Sequence, residues 1–183
     1  MKFDLSNRDT IFASLPRNGV GAEIGVYSGT FSAVILQQAE PRLLFLIDCW
    51  ITQSVEIHGH DPSNARQEIK NAFYQQVFRT YLTDDRVRVF KAFSQEAAPM
   101  FPDAFFDWVF LDANHLQCYR DIQAWWPKVK PGGWLMGHDY VTGGVADFVT
   151  VQADVDRWVA ETGLPLLLTD DPIWKCWIVE KPL

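Results

Sequence analysis

Apolar positions along the chain form short continuous runs separated by stretches with helical spacing. Val20 to Val26, Arg42 to Ile47, Val87 to Phe90, Phe105 to Leu111 and Trp134 to Gly137 read as strands buried on both faces. Between them, Thr30 to Gln38, Asn64 to Tyr81 and Leu116 to Val129 read as helices. The longest carries Ala65, Ile69, Ala72, Phe73, Val77 and Phe78 as its apolar stripe, and Leu116 to Val129 carries Tyr119, Ile122, Trp125 and Trp126. A short helix opens at Ser94, and another runs from about Val145 to Glu161 after the loop Thr142-Gly143-Gly144. Residues 1–18 form a lead-in with a short helix through Ser14. Residues 49–63 have no period, which predicts a long loop that could act as a lid.

The chain closes with Leu164 to Leu168 and Trp174 to Val179. Only Thr169-Asp170-Asp171-Pro172 and Ile173 lie between them, too few for a crossover helix, so these two strands should pair antiparallel. Alternating strands and helices predict an α/β fold, a parallel sheet with helices on both faces. Residues 1–183 fit one domain, with no internal repeat or linker. Ligands of such sheets sit outside the carboxyl ends of the strands.

A formal charge of −7 argues against tight contact with a nucleic-acid backbone. No apolar run is long enough for a membrane span, and the N-terminus lacks signal-peptide regions, so a cytoplasmic protein is expected. Cys49, Cys118 and Cys176 are widely spaced and read as reduced thiols. Eight Trp and thirteen Phe point to a bulky aromatic core or pocket, and exposed Trp would support a homodimer. Trp50, Tyr140 and Phe148 are candidates for an acceptor pocket, with core packing the other reading.

The candidate chemistry begins at Gly21-Ala22-Glu23-Ile24-Gly25-Val26-Tyr27-Ser28-Gly29, a strand that turns into a helix. Glycines admit close backbone approach, and the following helix start offers free N–H groups. Asp48 ends the second apolar run abruptly, where a carboxylate can accept ribose hydroxyls. Asp112, Asn114 and His115 follow the fourth run, and His138 and Asp139 follow the fifth. Neighbouring strand ends would bring these five into one crevice. His58-Gly59-His60-Asp61 lacks the further ligands of a zinc site and reads as lid or substrate-contact sequence. Asp107 opens its strand, away from the ligand edge.

Four stretches coincide in order and spacing: Glu23-x-Gly25-x-x-x-Gly29, Leu46-Ile47-Asp48, Phe110-Leu111-Asp112, and Lys130-Pro131-Gly132-Gly133 leading to His138-Asp139-Tyr140. Together they resemble class I S-adenosylmethionine-dependent methyltransferases over roughly residues 20–180, in particular a small bacterial group. The resemblance implies a Rossmann-like, mostly parallel seven-stranded sheet of order 3-2-1-4-5-7-6 with the last strand antiparallel. It implies S-adenosyl-L-methionine as cofactor, with Gly25 and Gly29 near its methionine part, Glu23 beneath the turn and Asp48 on the ribose. Tyr27 replaces the central glycine of the common Gly-x-Gly pattern, where it either shapes the pocket floor or packs on the first helix. Relatives often carry an acid after the third strand for the adenine amino group. Here Ala92 and Phe93 backbone or the Ser94 hydroxyl would substitute, with an ordinary helix N-cap the other reading of Ser94.

At the chemistry edge, His115 and His138 are candidate bases and Asp139 shapes the site with Asp112. The acids Asp112 and Asp139, with Asn114 or His138, could instead hold a divalent cation such as Mg²⁺. The other reading leaves His138 and Asp139 bonded to loop backbone. The expected activity is methyl transfer to a small molecule, at oxygen. The alternatives are a nicotinamide-dependent oxidoreductase, whose Gly-x-Gly-x-x-Gly fingerprint is absent, and a non-catalytic domain that binds a nucleoside or a partner.

Overall fold

The computed structural model describes residues 3–59, 61–141 and 149–183. Its sheet has seven strands in the order β3-β2-β1-β4-β5-β7-β6, as the resemblance implies. The strands are β1 (Val20–Ile24), β2 (Leu43–Asp48), β3 (Val87–Lys91), β4 (Phe106–Leu111), β5 (Val129–Val141), β6 (Leu167–Leu168) and β7 (Trp174–Glu180). The first five pair in parallel, and β7 runs antiparallel to both β5 and β6. The helices are α1 (Thr10–Ala13), α2 (Thr30–Gln38), α3 (Val55–His58), α4 (Gln67–Tyr81), α5 (Ser94–Ala97), α6 (Cys118–Trp125) and α7 (Val151–Thr162).

Alternation along the strands divides the core into two clusters, one on each sheet face. Val20, Ala22 and Ile24 of β1 join Ile122 and Trp125 of α6 and Val155 and Trp158 of α7. Leu44 and Leu46 of β2 and Trp108 and Phe110 of β4 join Phe12, Ile35, Val77 and Tyr81 on the other face. Phe12 packs edge-on to both Trp108 and Phe110, which fastens the lead-in to this second layer. Asp107, at the far edge as expected, accepts from Val20 N (2.7 Å) and from Lys130 Nζ (2.7 Å), tying three strand starts together.

Three local expectations are corrected. The 49–63 segment contains a helical turn, α3, and its stem is closed by Thr52 Oγ1 donating to Ala65 O and Gln53 N donating to Asn64 Oδ1. The buried stripe of α4 is Lys70, Val77 and Tyr81 with Phe73 and Tyr74 alongside; Ile69 and Phe78 are exposed, because the stripe follows the 70-74-77-81 spacing. Ser94 is not the N-cap of α5; Phe93 holds that place and the Ser94 hydroxyl points elsewhere. The Thr142-Gly143-Gly144 loop, the start of the helix expected from Val145, Phe148 and His60 lie outside the described residues.

Candidate active site

The carboxyl ends of β1, β2, β3 and β4 open onto a cavity of about 600 Å³, within the range of small-molecule and cofactor sites. The turn after β1 forms one wall. Gly25 has φ +96°, and a Cβ there would lie 2.0 Å from the Asp112 carbonyl oxygen, so glycine lets the turn cross the end of β4. Gly29 has φ +76° and faces Val77 of α4 instead of the cavity. Its role is therefore the close packing of α2 against α4, and it is not among the cavity-lining residues.

Tyr27 also adopts a left-handed backbone, φ +53°, which is costly for a residue with a Cβ. Its N–H donates to Asp48 Oδ2 (2.8 Å), its carbonyl accepts from Trp50 Nε1 (2.8 Å), and its ring packs edge-on to Phe73. The ring thus rests on α4, and Lys70 Nζ lies 5.3 Å from its centre. Trp50 is fully buried as the bolt of this turn, and Tyr140 is buried with its hydroxyl on Asp156; neither lines the cavity, and both take the core reading.

Asp48 is built into the turn. Oδ2 accepts from Val26 N (3.0 Å) and Tyr27 N, and Oδ1 accepts from Trp50 N (2.6 Å). A carboxylate has about four acceptor positions, so roughly one remains for a ligand hydroxyl. Beneath the turn, Glu23 is 1% exposed and accepts from the Ser32 hydroxyl. Burial pushes its carboxyl up to about 8 against that hydrogen bond.

At the other end of the cavity lie Ala92, Phe93, Ser94 and Asp121. Asp112, Ala113, Asn114 and His115 form the floor toward the strand tips. Asp112 N donates to Ile24 O (2.7 Å), and Arg8 Nη2 reaches Asp112 Oδ2 at 2.6 Å with its guanidinium 3.6 Å above the Phe31 ring. Asn114 Oδ1 is engaged by Leu116 N in a local turn.

His138 and Asp139 are not among the cavity-lining residues; they sit behind this floor, next to Asp112, because Leu111 of β4 pairs with Gly137 of β5. The β5–β7 register shifts between Gly137 and Tyr140, and Asp139 has φ +57°. Such a bulge re-aims side chains at the end of a strand. Asp139 receives His138 Nδ1 on Oδ1 (2.8 Å) and His115 Nε2 on Oδ2 (2.8 Å), while His115 Nδ1 meets Asp61 Oδ2 at 3.2 Å. Burial opposes charge on His115, but Asp112, Asp139 and Asp61 outweigh it and hold its pKa up at about 12. Burial likewise opposes charge on Asp139, and the two imidazoles hold its carboxyl well below the usual range. One ligand atom each from Asp112, His138 and Asp139 fall within 4.8 Å of one another, the spacing of a candidate cation site.

Sequence reading missed three residues of this site, Arg8 from the lead-in, Lys70 from α4 and Asp121 from α6, and had Asp61 only as lid or substrate-contact sequence. Asp121 alone left a signal, since it shares the spacing of the buried Cys118, Ile122 and Trp125 and is a charged residue on an apolar face.

Residues 22–140 match the family model described as a methyltransferase domain. The chain belongs to the methyltransferase-domain family. The matched span of this methyltransferase domain runs from the strand before Gly25 to the bulge at His138 and Asp139 and contains the turn, Asp48 and the Asp112–His115 floor. No curated protein sequence matches the chain. Among solved structures, a Corynebacterium glutamicum protein is similar at TM-score 0.66 and 18% identity, over 96% of this chain and 78% of that one. An O-methyltransferase family protein from Burkholderia thailandensis gives 0.61 and 16%, over 93% of this chain and 52% of that one, so this chain spans about half its length. A SAM-dependent methyltransferase from Aquifex aeolicus gives 0.64 and 12%, over 91% and 84%. At these identities the likeness is one of fold. Among the described residues no helix is long and apolar enough to cross a membrane.

Proposed function

We propose that the chain binds S-adenosyl-L-methionine and transfers its methyl group to an oxygen of a small-molecule acceptor. The observation that carries this reading is the shared cavity: Gly25, Tyr27 and Asp48 line it together with Asp112 and His115. A cofactor seated on the turn would end beside the carboxylate–imidazole cluster. The cavity's donor set suits that cofactor. Glu23 lies beneath the place of an ammonium, Asp48 retains an acceptor for a ribose hydroxyl, and Ile47, Ala92 and Phe93 supply apolar surface for a purine.

The cofactor supplies an electrophilic methyl group; the chain aligns the acceptor and manages its proton. His138 is the base in this reading. Asp139 fixes its Nδ1–H, which leaves Nε2 to take the acceptor proton. His115 has both ring nitrogens committed to carboxylates and braces Asp139 and Asp61. A second reading is favoured by the grouping of Asp112, His138 and Asp139, which would hold a divalent cation such as Mg²⁺. Such an ion would lower the pKa of an acceptor hydroxyl.

The test is a turnover assay in which S-adenosylhomocysteine formation is followed over a panel of phenolic, hydroxylated and carboxylated acceptors. Product formation with at least one acceptor, abolished by His138→Ala, supports the reading. Binding without turnover across the panel would favour a non-catalytic domain. Loss of turnover on chelation, restored by Mg²⁺ or Mn²⁺, would select the metal-assisted version; indifference to both rejects it.

A further inference from the structure

The adenine end of the cavity lacks an acid on the loop after β3, where Lys91-Ala92-Phe93-Ser94 stands. Part of the nearby backbone is already engaged. Phe93 O already accepts from Glu96 N (3.0 Å) and Ala97 N (2.9 Å), and Ala92 N donates to Asp48 O (2.9 Å). The Ser94 hydroxyl donates to Asp121 Oδ1 (2.7 Å) and accepts from Trp125 Nε1 (2.9 Å), so its only proton is committed.

Asp121 is different. It is a carboxylate on α6, 2% exposed, and it still lines the cavity. Ser94 Oγ and, at 3.5 Å, Gln95 Nε2 both address Oδ1; among the described residues no side chain donates to Oδ2. Oδ2 therefore keeps its acceptor positions for a donor that enters the cavity. We propose that Asp121 accepts the 6-amino group of the cofactor's adenine through Oδ2, replacing from α6 the acid that the β3 loop lacks. This rests on the cofactor reading above. Burial raises the Asp121 carboxyl to about 6 against the Ser94 and Gln95 hydrogen bonds, so a further donor from the ligand would favour its charged form. Gln95 offers a rival acceptor in its Oε1, but it is an exposed side chain and gains less from a ligand partner.

The experiment compares binding of S-adenosylhomocysteine with its 6-deamino purine analogue by calorimetry. A site that hydrogen-bonds the amino group rejects the analogue lacking it. Wild type should prefer the adenine ligand by about tenfold or more. Asp121→Leu should reduce the preference to within about twofold, while Ser94→Ala and Gln95→Leu keep it. A preference that survives Asp121→Leu, or disappears in Gln95→Leu, overturns the assignment. So does an equal loss of both ligands in Asp121→Leu, which would mean that Asp121 acts only by holding Ser94. If Asp121→Leu does not fold, a wild-type complex decides: the adenine nitrogen should lie about 3 Å from Oδ2, and a nearer partner in its place overturns the proposal. Failure of wild type to bind S-adenosylhomocysteine at all would count against the cofactor reading instead.

Discussion

His115 Nε2 lies 2.8 Å from Asp139 Oδ2, joining the loop after β4 to the bulge near the end of β5. The same ring reaches Asp61 with its other nitrogen. One imidazolium therefore holds together two strand ends and the segment that overlies the cavity. This explains how a buried Asp139 with a left-handed backbone persists: its strain and its charge are both opposed by fixed partners.

His115→Ala should destabilise the chain by about 2 kcal/mol, the scale of a lost hydrogen bond between charged groups. The overlying segment should also loosen. Denaturant unfolding in EDTA reads the first effect, and faster amide exchange around Asp61 reads the second. Unchanged exchange there would mean that the stem contacts of Thr52 and Gln53 suffice to hold it.

Asp48→Ala should cost stability as well as cofactor affinity. Three backbone N–H groups lose their acceptor, and a loss of about 2–4 kcal/mol is expected at roughly 1 kcal/mol or more for each. Asp48→Ala with wild-type unfolding would show that water replaces the carboxylate freely.

Tyr27 supports a comparison with a clear sign. Tyr27→Ala and Tyr27→Gly both remove the packing on Phe73, but only glycine is at ease at φ +53°. Tyr27→Gly should therefore be the more stable of the two by about 1 kcal/mol. The reverse order would indicate that the turn relaxes to a negative φ once the ring is gone.

Glu23 makes stability depend on pH. Its folded pKa, raised to about 8 by burial, exceeds the ordinary value of 4.5, so the folded chain binds the proton more tightly. The stabilisation is full below about 4.5 and is lost as pH rises through about 8. From pH 7 to pH 9 the ligand-free protein should lose about 1 kcal/mol through this group. Glu23→Gln should remove that part of the decline, and an identical pH profile for the variant would contradict it.

The strands were legible because buried parallel strands are continuous apolar runs, and β2 and β4 stop at Asp48 and Asp112 where the sheet meets the cavity. The closing hairpin was legible from loop length. What escaped were contacts between elements distant in sequence. Nothing local in Ser6-Asn7-Arg8 says that its guanidinium ends on Asp112, and nothing in the irregular 49–63 stretch says that Asp61 meets His115. Ser94 carried two readings, an adenine partner and a helix cap, because a serine before a helix commonly caps it; the buried Asp121 takes its hydroxyl proton. The apolar stripe of α4 was rotated because Lys70, which turns inward beside Tyr27, carries the polar signature of an outer face.

The central claim is that the turn at Gly25–Tyr27 and the end of β2 form the seat of S-adenosyl-L-methionine. Calorimetric titration of the purified chain with S-adenosylhomocysteine, paired with amide exchange, tests it most directly. Saturable one-to-one binding with slowed exchange at residues 25–28 and 48–50 is predicted. No heat and no protection at millimolar ligand would contradict it.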